Sequence, residues 1–371
     1  MKRNFFTMLG EDEGMKNQEI KVTLATSKKE KPKSDQLQFG RYFTDHMFMM
    51  DYTPEKGWHD PQILPYGPIQ MDPAASILHY GQTIFEGLKA YVTKDGDARI
   101  FRPEKNIQRL NRSNDRMSIP QVDEGLVLEA IKKIVSIDKE WIPTAPGTAL
   151  YIRPYVFGTE ANINVVPSEE YKLMIILSPV GAYFKEGLNP VKIAVESDYV
   201  RAVPGGTGEA KTGGNYAGSF KAQKAVAEKG FSQVLWLDGV EHKYIEEVGA
   251  SNVFFKIDGE IVTPALTGSI LHGVTRDSVI QLLKHWGVPV TERKISIEEL
   301  YALSLEGKVE EAFSSGTAAV ISPIGQLTWK GQDLVINDNK IGELSQKVYD
   351  TLTGIQYGNV EDTFNWITEI E

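Results

Sequence analysis

The sequence predicts an α+β protein of two domains, on three observations. Its 371 residues suffice for about two domains, each with its own core. Apolar residues alternate with period two in some stretches and recur at helical spacing in others. The two kinds mix without a repeated strand, helix, strand rhythm, and no internal repeat or low-complexity run is visible.

Taken in order, residues 1–34 end in "SKKEKPKS", a polar run of mixed charge with no apolar period, and are expected to form a loosely ordered tail. A smaller domain follows over 35–184. Within it "DHMFMMDY" and "YGPIQMDP" read as strands divided by the turn around Gly57, and "EKNIQRLNRSNDRM" and "DEGLVLEAIKKIVSI" as helices. "TALYIRPYVFG" and "YKLMIILSPVGAYF" return to strand character. Residues 185–198 read as a connector, and 199–371 as a larger second domain. In that domain a helix is expected from about Tyr216 to Glu228, after the paired glycines. "FSQVLWLD", "NVFFKIDGEIVTP" with its Asp258-Gly259 turn, and "VPVTERKI" read as strands. Val279 with Leu283 and Leu282 with Trp286 mark a helix, and Ser296 with Glu299 a capping box opening another.

Composition excludes several classes. A formal charge of −10 with scattered basic residues argues against nucleic acid or an anionic membrane as partner. The chain has no cysteine, so disulfides, thiolate metal sites and a cysteine nucleophile are ruled out. The longest strongly apolar stretch, "LMIIL", is far short of the roughly 20 residues that span a bilayer as a helix. "MKRNFF" runs quickly into "EDEG", which does not suit a signal or transit peptide, and the cytoplasm is the expected compartment. None of the six histidines falls in a His-x-x-x-His pair, so no metal site is expected.

The stretch "AVPGGTGEAKTGGNY" resembles a phosphate-binding P-loop of a nucleotide hydrolase, with "QVLWLD" ending in Asp238 as its metal-holding strand. The pattern fails at Ala210, whose Cβ stands where the backbone must approach a phosphate. It fails again at Gly213 and Gly214, each of which costs about 1 kcal/mol in a helix interior. A lysine among small residues can instead swing between a cofactor carbonyl and solvent. Taken alone, Lys211 reads equally as a solvated turn residue. By the same standard Arg109 reads as a solvated helix arginine, Glu247 as an exposed acid beside Glu246, and "SSGTA" as a small-residue turn.

"KTGGNY", "EEVGASN", "LHGVTRDS" and "SSGTA" follow one another in an order that resembles the class IV, pyridoxal-phosphate-dependent branched-chain amino acid aminotransferases. "LHYGQTIFEGLKAY", "FRPEKNIQRLNRS", "YIRPYVFGTEANI" and "LSPVGAYF" agree, and the resemblance spans about residues 36 to 360. It implies a fold-type IV architecture with pyridoxal 5'-phosphate between the domains. Lys211 would form the Schiff base, Tyr216 bond the phenolate, and Glu247 hold the ring nitrogen. Arg109, Leu271, Gly273, Val274, Thr275 and Thr317 would complete the cofactor site, the phosphate lying at a helix start.

For substrate the resemblance implies Tyr151 toward the α-carboxylate and Arg153 toward the distal carboxylate of glutamate; on a strand, period two puts both on one face. Phe39, Tyr80, Phe85 and Tyr183 would form an aromatic wall, with Ala250 and the Thr317–Ala318 backbone nearby. Ile163 and Val165 would complete the pocket of the other subunit in a homodimer. The implied reaction is reversible amino transfer between leucine, isoleucine or valine and 2-oxoglutarate. A D-amino acid aminotransferase or an aminodeoxychorismate lyase shares the lysine and the glutamate; "YIRP" and chain length favour the branched-chain enzyme. A non-catalytic scaffold would need no such set. Ala250 replaces a threonine common in relatives, and Ala319 and Ser322 stand where mammalian relatives have a Cys-x-x-Cys pair.

Overall fold

A computed structural model of the chain describes residues 18–181 and 188–371. The first sheet holds β1 (Lys21–Val22), β2 (His46–Thr53), β3 (Gly57–Pro65), β4 (Thr83–Phe85), β5 (Leu88–Val92), β6 (Ala98–Phe101), β7 (Ala149–Gly158) and β8 (Tyr171–Val180). The second holds β9 (Val191–Val195), β10 (Gln233–Leu237), β11 (Ile245–Val248), β12 (Ser251–Ile257), β13 (Glu260–Thr263), β14 (Val290–Glu292), β15 (Val309–Gly316), β16 (Val320–Trp329) and β17 (Gln332–Val335). A last strand, β18 (Ile367–Ile370), pairs antiparallel with β6. The helices are α1 (Ser76–Tyr80), α2 (Pro103–Arg116), α3 (Glu124–Ile137), α4 (Gly213–Ala217), α5 (Phe220–Ala227), α6 (Val274–His285), α7 (Ile297–Leu305) and α8 (Glu343–Tyr357).

The first sheet runs β1-β3-β2-β8-β7-β5-β6-β18, with β4 on β7. In the second, β11-β10-β9-β16-β15-β12 closes on itself through the β11–β12 pairing, and β13 and β14 extend it. Helix α3 shows why the first core forms. Asp123 accepts the Leu126 N–H at 2.7 Å to cap it. Val127, Ala130, Ile131, Ile134 and Val135 then fall on one stripe, packed against Phe48, Ile100 and Leu173. A second core joins the two sheets, with Tyr91, Tyr151 and Val180 from the first beside Phe254, Phe313 and Val320 from the second. The cleft-lining ends of both units are thereby held against each other.

Several sequence expectations change. From residue 18 the expected loose tail is packed: Ile20 is buried, β1 lies parallel to β3, the Ala25 N–H donates to His46 Nε2 at 2.9 Å, and the Lys29 N–H to Asp45 at 2.8 Å. Its polarity misleads because backbone groups make these bonds while Lys28 and Lys31 pair with Glu140 at the surface. "YGPIQMDP" is not a strand; β3 starts at Gly57 itself, in register with β2 through Thr53–Gly57. The expected connector contains β9, which sits between β10 and β16. The second unit does not run to the end of the chain, since β18 returns to the first sheet.

The helix after the glycine pair starts at Gly213 and breaks at Gly218. Glycine is tolerated there because these are first-turn positions and not interior ones. The Asp258-Gly259 turn forms with φ of 50° and 80°, the left-handed pair a two-residue hairpin loop requires. Ser296 caps α7 through the Glu299 N–H at 3.0 Å, but the Glu299 carboxylate bonds Arg293 instead of closing the box.

The packed segment makes a prediction. Ile20→Ala should lower unfolding free energy in urea by about 2–5 kcal/mol, the cost of emptying a core isoleucine site. A change within about 0.5 kcal/mol would mean the segment is only loosely attached.

Candidate active site

Lys211 ends a turn that is built before it is functional. Asn215 reaches back to accept from Thr207 Oγ1 at 2.6 Å and donates to the Thr207 and Ala210 carbonyls at 2.7 and 2.9 Å. A Cβ on Gly208 would overlap the Ser269 carbonyl, so only glycine fits. The Lys211 N–H donates to Ser113 Oγ at 2.9 Å and its carbonyl accepts from the Phe85 N–H at 2.9 Å. A loop whose polar groups are spent this way cannot cradle a phosphate, which disposes of the nucleotide reading. Asp238 likewise accepts four backbone N–H groups of its own turn, from Val240, Glu241, Lys243 and Tyr244.

The lysine side chain points to the first unit. Its Nζ lies 2.9 Å from the Tyr216 hydroxyl and 4.7 Å from the centroid of the Phe85 ring, which packs edge-on against Tyr216. Arg109 is buried, not solvated. Its Nε and Nη2 donate to Glu86 at 2.7 and 2.8 Å, and Nη1 to the His272 carbonyl at 3.0 Å. Three of its five N–H groups are used, and two remain for an anion. Burial pushes the Glu86 carboxyl up, but Arg109 and Lys211 outweigh it and hold the group below its usual value.

Glu247 is buried too, at 1 % exposure. Strand pairing sets it beside Asn252, whose Nδ2 donates to Oε1 at 3.2 Å. Arg201 Nη1 lies 2.9 Å from Oε2, an ion-pair distance, yet Oε2 receives no well-directed hydrogen bond. Burial pushes the carboxyl up to about 7; Arg201 and Lys211 oppose the rise and Glu246 adds to it. Leu271 lies against the same group: its carbonyl accepts from Asn252 at 3.0 Å, and its N–H faces Glu247.

Gly273 is the N-cap of α6 with no side chain capping it, so the N–H groups of the Val274 and Thr275 turn are donors for an anion. A Cβ on Gly273 would overlap Asn252. Thr317 lies across from this turn, but its hydroxyl donates to the Gly87 carbonyl at 3.1 Å. On β7, Tyr151 and Arg153 share a face as expected, with Arg153 Nη2 3.1 Å from the Tyr151 hydroxyl. The Arg153 guanidinium lies over the Phe85 and Tyr151 rings, at 4.7 and 5.2 Å, and its buried Nε has no partner. Phe39 packs edge-on against Tyr151 at 4.8 Å.

Other predicted residues stand apart from this cluster. Ala250 is exposed in the β11–β12 turn. Ile163 and Val165 are 65 % and 85 % exposed, held out by a bond from the Tyr80 hydroxyl to the Ile163 carbonyl. Tyr183 lies outside the described residues. Sequence reasoning missed Glu86, Arg201 and Lys89. Lys89, paired in register with Tyr151, donates to the Ala318 carbonyl at 2.7 Å, and burial lowers its pKa to about 8. The signal for Glu86 was its place in "FEGLKAY"; nothing local marked Arg201. No cluster that could hold a metal ion occurs among the described residues.

The sequence profile of the class IV amino-transferase family matches residues 83–327. The chain is 63 % identical over 356 residues to branched-chain-amino-acid aminotransferase 2 of Bacillus subtilis (strain 168), covering 96 % of this chain and 98 % of that one. It is 54 % identical over 351 residues to a probable branched-chain-amino-acid aminotransferase of Staphylococcus aureus (strain MRSA252), covering 94 % and 98 %. Among solved structures, the branched-chain amino acid aminotransferase of Escherichia coli superposes with a TM-score of 0.71 at 28 % identity, covering 83 % of this chain and 97 % of that one. A thermophile's enzyme of the same name, from "T.th.", was solved with pyridoxamine 5'-phosphate and gives 0.71 at 26 % identity, covering 87 % and 98 %.

The raised Glu247 carboxyl can be tested in protein freed of small molecules. The folded state keeps a proton that the unfolded chain releases near its ordinary value of about 4.3, so this group should make stability fall as pH rises from there to about 7. The infrared carboxyl band lost in Glu247→Gln should titrate near pH 7. A midpoint near the ordinary value of about 4.3 would contradict the burial argument.

Proposed function

The chain belongs to the class IV aminotransferases, and on that premise we propose that it transfers amino groups between branched-chain L-amino acids and 2-oxoglutarate. Leucine, isoleucine and valine give branched 2-oxo acids, 2-oxoglutarate gives L-glutamate, and pyridoxal 5'-phosphate is the cofactor. One observation carries the reading: Lys211 Nζ is bonded to Tyr216 within electrostatic reach of both Glu86 and Glu247.

The residues present fit the cofactor. Glu247 Oε2 is a buried oxygen without a hydrogen-bond donor, the need a protonated ring nitrogen would meet. The uncapped start of α6 and the two free Arg109 N–H groups suit a phosphate. When bound, pyridoxal 5'-phosphate supplies the electron sink for the bond broken at the substrate α-carbon. Lys211 Nζ, oriented by Tyr216, takes the α-proton as general base and returns it as general acid. Tyr151 holds the α-carboxylate that every substrate shares. Arg153, whose Nε waits unpaired against apolar ring faces, receives the distal carboxylate of glutamate, while a leucine side chain packs on Phe39 and Phe85. The amino group leaves one substrate before the second binds, so kinetics should be ping-pong.

A homodimer and a cytoplasmic setting belong to the same proposal. Leu78, Tyr80, Ile163, Val165 and Val166 form an exposed apolar group that a second copy would cover, bringing Ile163 and Val165 to its pocket. No helix among the described residues is long and apolar enough to cross a membrane.

Arg153→Met tests the substrate assignment. Losing a charge-assisted hydrogen bond of roughly 1.5–3 kcal/mol should cut kcat/KM for 2-oxoglutarate by about 10- to 150-fold. Leucine should lose far less, since methionine keeps most of the apolar volume. Single turnovers followed by cofactor absorbance separate the two; equal losses would mean that Arg153 is structural or binds the shared α-carboxylate.

A further inference from the structure

Helix α2 carries cations along one side. Lys105, Arg109 and Arg112 are spaced four and three residues apart, which aligns them. Only Arg109 is buried. Lys105 and Arg112 are exposed at the mouth of a pocket of about 210 Å³ whose floor includes His272, Gly273 and Val274. Arg109 bonds the His272 carbonyl at 3.0 Å, and Val274 opens α6, so the pocket backs directly onto the inner anion cradle.

The mouth has a surplus of positive charge. Among the described residues neither Lys105 nor Arg112 has a carboxylate partner; Lys105 has only Gln108 Oε1 at 3.3 Å. The nearby acids are occupied: Asp277 pairs with Arg102 at 2.6 Å, and Glu209 faces His272 at 3.7 Å. Arg276 lines the same pocket at 4 % exposure, and although its Nη2 is paired with Glu292, its Nε has no hydrogen-bond partner. Exposed, solvated cations add little to equilibrium affinity but strongly affect how fast an oppositely charged ligand arrives.

We propose that this pocket is the port through which the phosphate of the cofactor enters, Lys105 and Arg112 drawing the dianion in before Arg109 and the α6 N-terminus receive it. The inference rests on the cofactor reading above. It assigns to Lys105 and Arg112 a kinetic role and not a place in the bound site.

The test is the rate at which pyridoxal 5'-phosphate associates with the full chain stripped of cofactor, followed by visible absorbance. With Lys105→Gln and Arg112→Gln combined, association should slow about tenfold at low ionic strength, within the range that electrostatic steering spans. Dissociation should stay unchanged, and the gap should close as salt rises. Pyridoxal, which lacks the phosphate, should associate equally with both proteins. Equal association of the phosphate form, or a loss expressed as faster dissociation, would overturn the port. A wild-type chain that develops no absorbance at all would overturn the cofactor reading and the port with it.

Discussion

The buried ion pair between Arg109 and Glu86 is the interaction on which the site depends. Glu86 lies in the short link between β4 and β5, and each neighbour in that link fastens another part of the cleft. The Phe85 N–H holds the Lys211 carbonyl, the Glu86 N–H donates to the Pro154 carbonyl at 2.7 Å, and the Gly87 carbonyl accepts from Thr317. A Cβ on Gly87 would overlap the Tyr151 hydroxyl. Phe85, Glu86 and Gly87 therefore tie α2, β7, the Lys211 turn and the Thr317 turn together. Removing one partner of such a buried pair typically costs about 3–5 kcal/mol, because the survivor keeps an uncompensated charge. Here the loss would also release the guanidinium that faces the α6 N-terminus.

The second half of the cleft is balanced differently. Glu246 and Glu247 are adjacent and both buried, with Arg201 as the cation near them. Burial raises both carboxyls, Ser269 takes up one oxygen of Glu246, and Glu247 is left with an oxygen unbonded. A fully satisfied Glu247 would be more stable and less able to hold a new donor. The unmet acceptor is a local cost that a protonated ring nitrogen would offset, which ties the energetics of the fold to the proposed chemistry.

Much of this was legible in the sequence, and the failures have physical causes. Period two placed Tyr151 and Arg153 on one face, and helical spacing gave α2, α3 and α6 nearly to their ends. The order of motifs pointed to Lys211, Tyr216, Glu247 and Arg109. No local pattern could show that Arg109 and Glu247 are buried, since neither lies in an apolar stretch and their partners Glu86 and Arg201 are distant along the chain. Strand β9 was hidden because "VKIAV" is short and follows a proline, yet its parallel neighbours β10 and β16 give it a central place. The N-terminal segment was misjudged because its order comes from backbone bonds, which composition does not report. Helix α8 was not anticipated at all, although Glu311 caps its start through the Leu344 and Ser345 N–H groups. That carboxylate sits on β15, far earlier in the chain.

The central claim is that Lys211, held by Ser113 and Phe85 and aimed at Tyr216, is the one amine that carries the cofactor. The direct measurement is borohydride reduction of the purified, cofactor-loaded chain, followed by peptide mapping by mass spectrometry. The account predicts a yellow protein that is bleached by borohydride, with a single reduced pyridoxyl adduct on the peptide containing Lys211. A colourless protein that takes up no pyridoxal 5'-phosphate, or an adduct on another lysine such as Lys89, would contradict it.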